Sequence, residues 1–138
     1  MKNRDHSIVS LRPQILSARI TPNMSSDEYF QNKILRPILK LQNELFIAVF
    51  KNYIKKNKNV FYEINVEKRL KYIEHAIQKD IKFRNSLKGI IIGQFTVEEY
   101  NDYAQHSSSI NKRMMNLLVQ RLQDQVQLLE PKKGSIVI

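Results

Sequence analysis

The sequence predicts an all-α protein, an irregular four- to five-helix bundle with an extended N-terminal arm and a short C-terminal tail. Three observations predict it. The 138 residues hold three Gly and four Pro among many Leu, Ile, Lys, Gln and Asn, too few turn formers for a β fold. Apolar residues recur at three- and four-residue steps through the middle and end of the chain, the period of an amphipathic helix. Ser25-Ser26-Asp27-Glu28 and Thr96-Val97-Glu98-Glu99 both have capping-box spacing, in which the first side chain bonds the N–H three residues on and the Glu reaches back.

The length suits one helical domain, residues 25–130, preceded by an arm over 1–24 and followed by a tail over 131–138. Pro13 and Pro22 exclude a long helix from the arm, and Ile8, Val9, Leu11, Ile15, Leu16 and Ile20 are its scattered apolar anchors. The first helix is expected from about Ser26 to Lys55 or Lys56, kinked or broken between Lys33 and Pro37. Phe30, Ile34, Ile38, Leu41, Leu45 and Ala48 form one stripe on it, and Leu35, Leu39, Phe46, Phe50 and Tyr53 a second. Two stripes leave a narrow polar strip, so this helix should be surrounded by others.

Asn57, Lys58 and Asn59 make a polar turn, and Val60, Phe61 and Tyr62 pack back down. Asn65 is a plausible cap for the next helix, whose buried face is Val66, Leu70, Ile73 and Ile77. The third helix starts near Asp80 and ends before Phe95 and Thr96. The fourth either stops around Ser107, Ser108 and Ser109 or runs to Glu130, before Pro131.

The formal charge of +10 is concentrated: residues 51–95 hold 11 basic and 4 acidic groups. Such a surface attracts phosphate backbones or acidic proteins. Lys68, Lys71, His75 and Lys79, with Tyr72 alongside and Lys82 beyond, form a row that could follow a polyanion, each Lys releasing counterions. The same row also serves as an ordinary solvated face, and no helix-turn-helix, RNA-recognition or zinc-finger signature accompanies it.

Zero Cys removes disulfides, thiol nucleophiles and Cys-ligated zinc and fits a reducing, cytoplasmic setting. The opening MKNRDHSIVSLRPQILSARI sustains no apolar run of signal-peptide or spanning length, so no membrane association is expected. Gly89 and Gly93 in KGIIIGQF fail the phosphate-loop pattern, which needs a Lys and a Ser or Thr directly after the last glycine. One turn apart, they are expected instead to let a second helix approach. Glu98, Asp102 and His106 recur at i, i+4 and i+8 and could stack three metal ligands, although HExxH and Glu-x-x-His are absent. Ser107–Ser109 lack any nucleophile motif. Met115, Val119, Leu122, Val126 and Leu129 step by four, three, four and three, a seam for a homodimer or, by default, for the bundle itself.

The runs LRPILKLQNELFIAVFKNYIKKNKNVFYEI, IQKDIKFRNSLKGIIIGQFTVEEY and NKRMMNLLVQRLQDQ resemble a family of small uncharacterised bacterial all-helical proteins, some labelled glyoxalase. Glyoxalase I enzymes are built from βαβββ modules with His and Glu metal ligands on strands. The histidines here, His6, His75 and His106, fall in the arm and on expected helices, so the resemblance carries over no catalytic residue. The expectation is a non-catalytic binding protein without cofactor, its basic face meeting nucleic acid, a ribonucleoprotein or an acidic protein. The alternatives are a homo-oligomeric scaffold and, third, a metal-dependent enzyme.

Overall fold

The computed structural model describes residues 2–15 and 19–131, and these are all-helical with no strand among them. The expected anchor at Leu16 and the tail from Lys132 onward lie outside the described residues. The α-helices are α1 (Lys2–Leu11), α2 (Ser26–Phe30), α3 (Arg36–Leu41), α4 (Asn43–Lys56), α5 (Val66–Lys79), α6 (Ile81–Ile92), α7 (Val97–Gln105) and α8 (Ser107–Asp124). A π turn, Gln31–Leu35, joins α2 to α3, and 3-10 turns occupy Val60–Glu63 and Val126–Leu129. The segments outnumber the four or five helices expected, because the first expected helix is divided into α2, α3 and α4, the fourth into α7 and α8, and the arm adds α1.

The arm is the first correction: Lys2–Leu11 is helical, not extended. Pro13 restricts only itself and Arg12, leaving the residues before it free to coil. Its apolar residues do not fix its place, for Ile8 is only half-buried and Val9 and Leu11 are 47% and 64% exposed. Polar bonds to the α6–α7 corner do. Arg4 donates to the carbonyls of Phe95 and Gly93, both at 3.0 Å. Asp5 accepts from the Val97 N–H at 3.3 Å. Arg12 donates to both carboxylate oxygens of Glu99 at 2.7 Å and to the Gln94 carbonyl at 2.8 Å.

Ser25 caps α2 by accepting from the Glu28 N–H, as its spacing predicts. Pro37 has no N–H, and its ring would press on the carbonyl four residues back. The chain resolves this with the π turn, in which the Arg36 N–H reaches the Gln31 carbonyl. A second break at Gln42, φ −92° and ψ 9°, has no Pro or Gly to announce it. It decides which stripe is core. Phe30, Ile34 and Ile38 are buried, but beyond the break Leu45 and Ala48 turn outward, while Leu35, Leu39, Phe46 and Phe50 stay buried throughout. The helix expected to be surrounded on all sides thus buries one face of each segment.

Opposite it stand Ile73 and Ile77 of α5, Leu87 and Ile91 of α6, and Met114, Met115, Leu118 and Leu122 of α8, all fully buried. On α5, Ala76 joins this face while Val66 is exposed. Thr96 and Glu99 form both halves of the expected capping box at the start of α7. The chain breaks at His106, and α8 ends at Asp124 rather than Glu130. Of the two readings of the 115–129 seam, the structure takes the default one, the bundle's own. Met115, Val119, Leu122 and Leu129 are buried within this one chain, with Val126 packed against them, so their surface is already used.

Gly89 and Gly93 bring no second helix close. Both are exposed, a Cβ at Gly89 would meet nothing within 4 Å, and one at Gly93 would meet only carbonyls of its own turn. With no contact to lose, Gly89→Ala should stabilise the fold by about 0.5–1 kcal/mol, the helix-propensity difference. Urea denaturation reads it directly: a loss of stability would mean that a neighbour does use the missing side chain.

Candidate nucleic-acid interface

Residues 57–80 build the basic face. After α4 the chain reverses through Lys58 and Asn59, both left-handed with φ 63° and 59°, and the Asn59 N–H returns to the Ile54 carbonyl at 3.0 Å. Asn tolerates this region better than most residues. Phe61 then drops into the core. Asn65 starts α5 by accepting from the Lys68 N–H at 2.9 Å. That start sets the rotation of α5, so burying Ile73, Ala76 and Ile77 turns Lys68, Lys71, His75 and Lys79 to solvent.

Between α5 and the end of α4 lies an open groove of about 560 Å³, lined by Tyr53, Asn57, Val60, Ile64, Lys68, Lys71, Tyr72, His75 and Ala76. Of the six expected polyanion contacts, it brings together Lys68, Lys71, Tyr72 and His75. Lys79 and Lys82 are exposed but line no part of it. None of the four lysines nor His75 is ion-paired with another described residue. Arg69, one position from this row, is committed elsewhere: it donates to the Phe61 and Tyr62 carbonyls at 3.0 and 3.2 Å, pairs with Glu130, and lies over the Phe61 ring.

The floor is aromatic and fixed. Tyr53 stacks on Phe83 with centroids 4.0 Å apart and donates its hydroxyl to Asp80 at 2.8 Å. Asp80 also caps α6 through the Phe83 N–H, so one carboxylate holds both the ring and the helix. Tyr72 meets Phe61, Phe50 and Tyr53 edge-on at 5.2–6.3 Å. Burial, then the bond and charge of Asp80, push the Tyr53 phenol well above its ordinary value. Burial pushes Tyr72 up as well. Both rings therefore stay neutral and do not repel an anion. A neutral aromatic floor under free cations suits a ligand with negative charges and flat or apolar parts.

Sequence reasoning missed Tyr53, Asn57, Val60, Ile64 and Ala76. Tyr53 reads as core from its stripe and Asn57 as part of a polar turn, while Val60 and Ile64 reach the groove only through the left-handed reversal at Lys58 and Asn59, which no Gly marks.

The expected metal ligands do not assemble. Glu98, Asp102 and His106 are exposed, the helix breaks at His106, and among the described residues no three His, Asp or Glu side chains come together to hold an ion. Among those residues no helix is long and apolar enough to cross a membrane. No family model, curated protein or solved structure matches the chain.

Proposed function

We propose that this chain is a non-catalytic binding protein whose α5 face holds single-stranded nucleic acid. The observation that carries this is the groove itself, a neutral tyrosine floor with Lys68, Lys71 and His75 around it. Lys79, four residues beyond His75, extends the row to about 16 Å along the helix. Phosphates would meet the lysines, and bases would lie against Tyr72 and the apolar lining. Stacking tolerates any base, so this reading expects little sequence preference. A kinship with the small bacterial helical proteins that the chain resembles is likewise our proposal, and it adds no catalytic residue.

The test is fluorescence anisotropy with a labelled single-stranded oligonucleotide at about 0.1 M salt. Replacing Lys68, Lys71 and Lys79 together by Gln should weaken binding by at least about tenfold, since three phosphate contacts are lost. All three side chains are exposed, so the circular dichroism spectrum should not change. Unchanged affinity in the triple variant would overturn the proposal. Equally tight binding of poly-glutamate would assign the face to acidic proteins.

A further inference from the structure

We propose that the cleft between α3 and α8 is a second, separate anion site, which takes the phosphoryl group of a small molecule on Arg36 and Arg121. The cleft is about 360 Å³ and is lined by Arg36, Leu39, Leu117, Gln120, Arg121, Asp124 and Gln125, within the size range of small-molecule sites.

Gln125, on its lining, is fixed in an amide pair with Asn43. Asn43 donates to Gln125 Oε1 at 2.7 Å, Gln125 donates to Asn43 Oδ1 at 2.7 Å, and the same Gln125 nitrogen reaches the Arg121 carbonyl at 3.0 Å. Asn43 Oδ1 is therefore already occupied where Arg121 Nη1 approaches it at 3.4 Å, a weak bond at most. Arg36 spends its Nε on Asn32 at 2.9 Å. This fixes the guanidinium and leaves both Nη groups without a bond to another described residue.

Two guanidiniums thus share one cleft, and neither is ion-paired with a described residue. Asp124 lines the same cleft and offsets one charge, leaving an excess of one. Burial and then the Arg36 charge lower the Arg121 guanidinium from its ordinary value, with Asp124 opposing. Holding two like charges together opposes folding until an anion joins them. A carboxylate offers its two oxygens in one plane, whereas a phosphoryl group spreads three around a tetrahedral centre and carries more charge, which suits forks that approach from two different helices. Gln120, exposed on the cleft wall, is available to the remainder of the ligand.

This site is distinct from the basic face. α8 meets α5 through Asn116, bonded to Gln78, and Gln123, bonded to the Leu70 carbonyl, whereas Arg113 and Arg121 reach Gln31 and Asn43 on the other side.

The probe is inorganic pyrophosphate, with ionic strength matched by sodium chloride, read by thermal melting and by the arginine Nε–H resonances. A saturable rise in melting temperature should accompany shifts at Arg36 and Arg121. Arg36→Gln with Arg121→Gln should weaken binding about tenfold or more, while Gln at Lys68, Lys71 and Lys79 should leave it unchanged. Arg121→Lys keeps charge and bulk, so its fold is safe, and losing the fork should still weaken binding. The inference fails if pyrophosphate acts no differently from chloride, if only the lysine variant abolishes the effect, or if the two arginine resonances stay still.

Discussion

Phe50→Ala should destabilise the protein by about 4 kcal/mol, the effect of emptying a fully buried aromatic site. Phe50 is 0% exposed and stands at the centre of the aromatic cluster, 5.8 Å from Tyr53 and from Phe83, 6.2 Å from Phe61 and 6.3 Å from Tyr72. Its removal opens a cavity that these four rings border, and they cannot all close on it without giving up their contacts with one another. Tyr53 and Tyr72 are also the groove floor, so the same substitution should reduce oligonucleotide binding at temperatures where the variant is still folded. Urea denaturation and anisotropy measure the two effects separately. A stability change below about 1 kcal/mol would show that the ring is not packed as described.

Arg12→Ala should cost about 3 kcal/mol, because it severs a shielded ion pair and leaves its partner behind. The side chains of Arg12 and Glu99 are 9% and 17% exposed, and their bond is two-pronged. Burial pushes the Glu99 carboxyl up, but bonds from Arg12 and Thr96 outweigh it and hold the carboxyl below its ordinary value. A carboxylate with a depressed folded value stabilises fully above its unfolded value and loses that contribution as pH falls through the folded one. Stability should therefore decline on acidification below the ordinary carboxylate range, and the variant should lack this part of the decline. The loss should be local first, with amide exchange rising across Lys2–Leu11, since Arg12 holds α1 to the α6–α7 corner. Unchanged exchange in α1 and an unchanged denaturation midpoint would contradict this.

Much of the helical frame was legible because capping is a local matter. Ser25, Asn65 and Thr96 each act as cap where their spacing places them. Pro37 announced a disturbance, though not that a π turn would absorb it. The break at Gln42 was silent, and it sends Leu45 outward while Phe46 stays in. Burial that depends on the phase of two half-helices cannot be read from one continuous stripe. The arm is hidden from a sequence reading for a different reason: its partners are backbone carbonyls, one backbone N–H and one carboxylate about ninety residues away, and apolar periodicity records none of these. The basic row on α5 was legible, since surface charge at helical spacing needs no tertiary information. The groove beneath it was not, because its floor comes from the end of α4 and a left-handed reversal.

The central claim is that the α5 face binds a nucleic-acid backbone through its lysines. The most direct measurement is the affinity for a single-stranded oligonucleotide as a function of salt concentration. Three lysine–phosphate contacts predict a slope of log affinity against log salt of about −2 or steeper, flattened by about 2 when Lys68, Lys71 and Lys79 are Gln. A slope near zero, or the same slope in the variant as in the native chain, would contradict it.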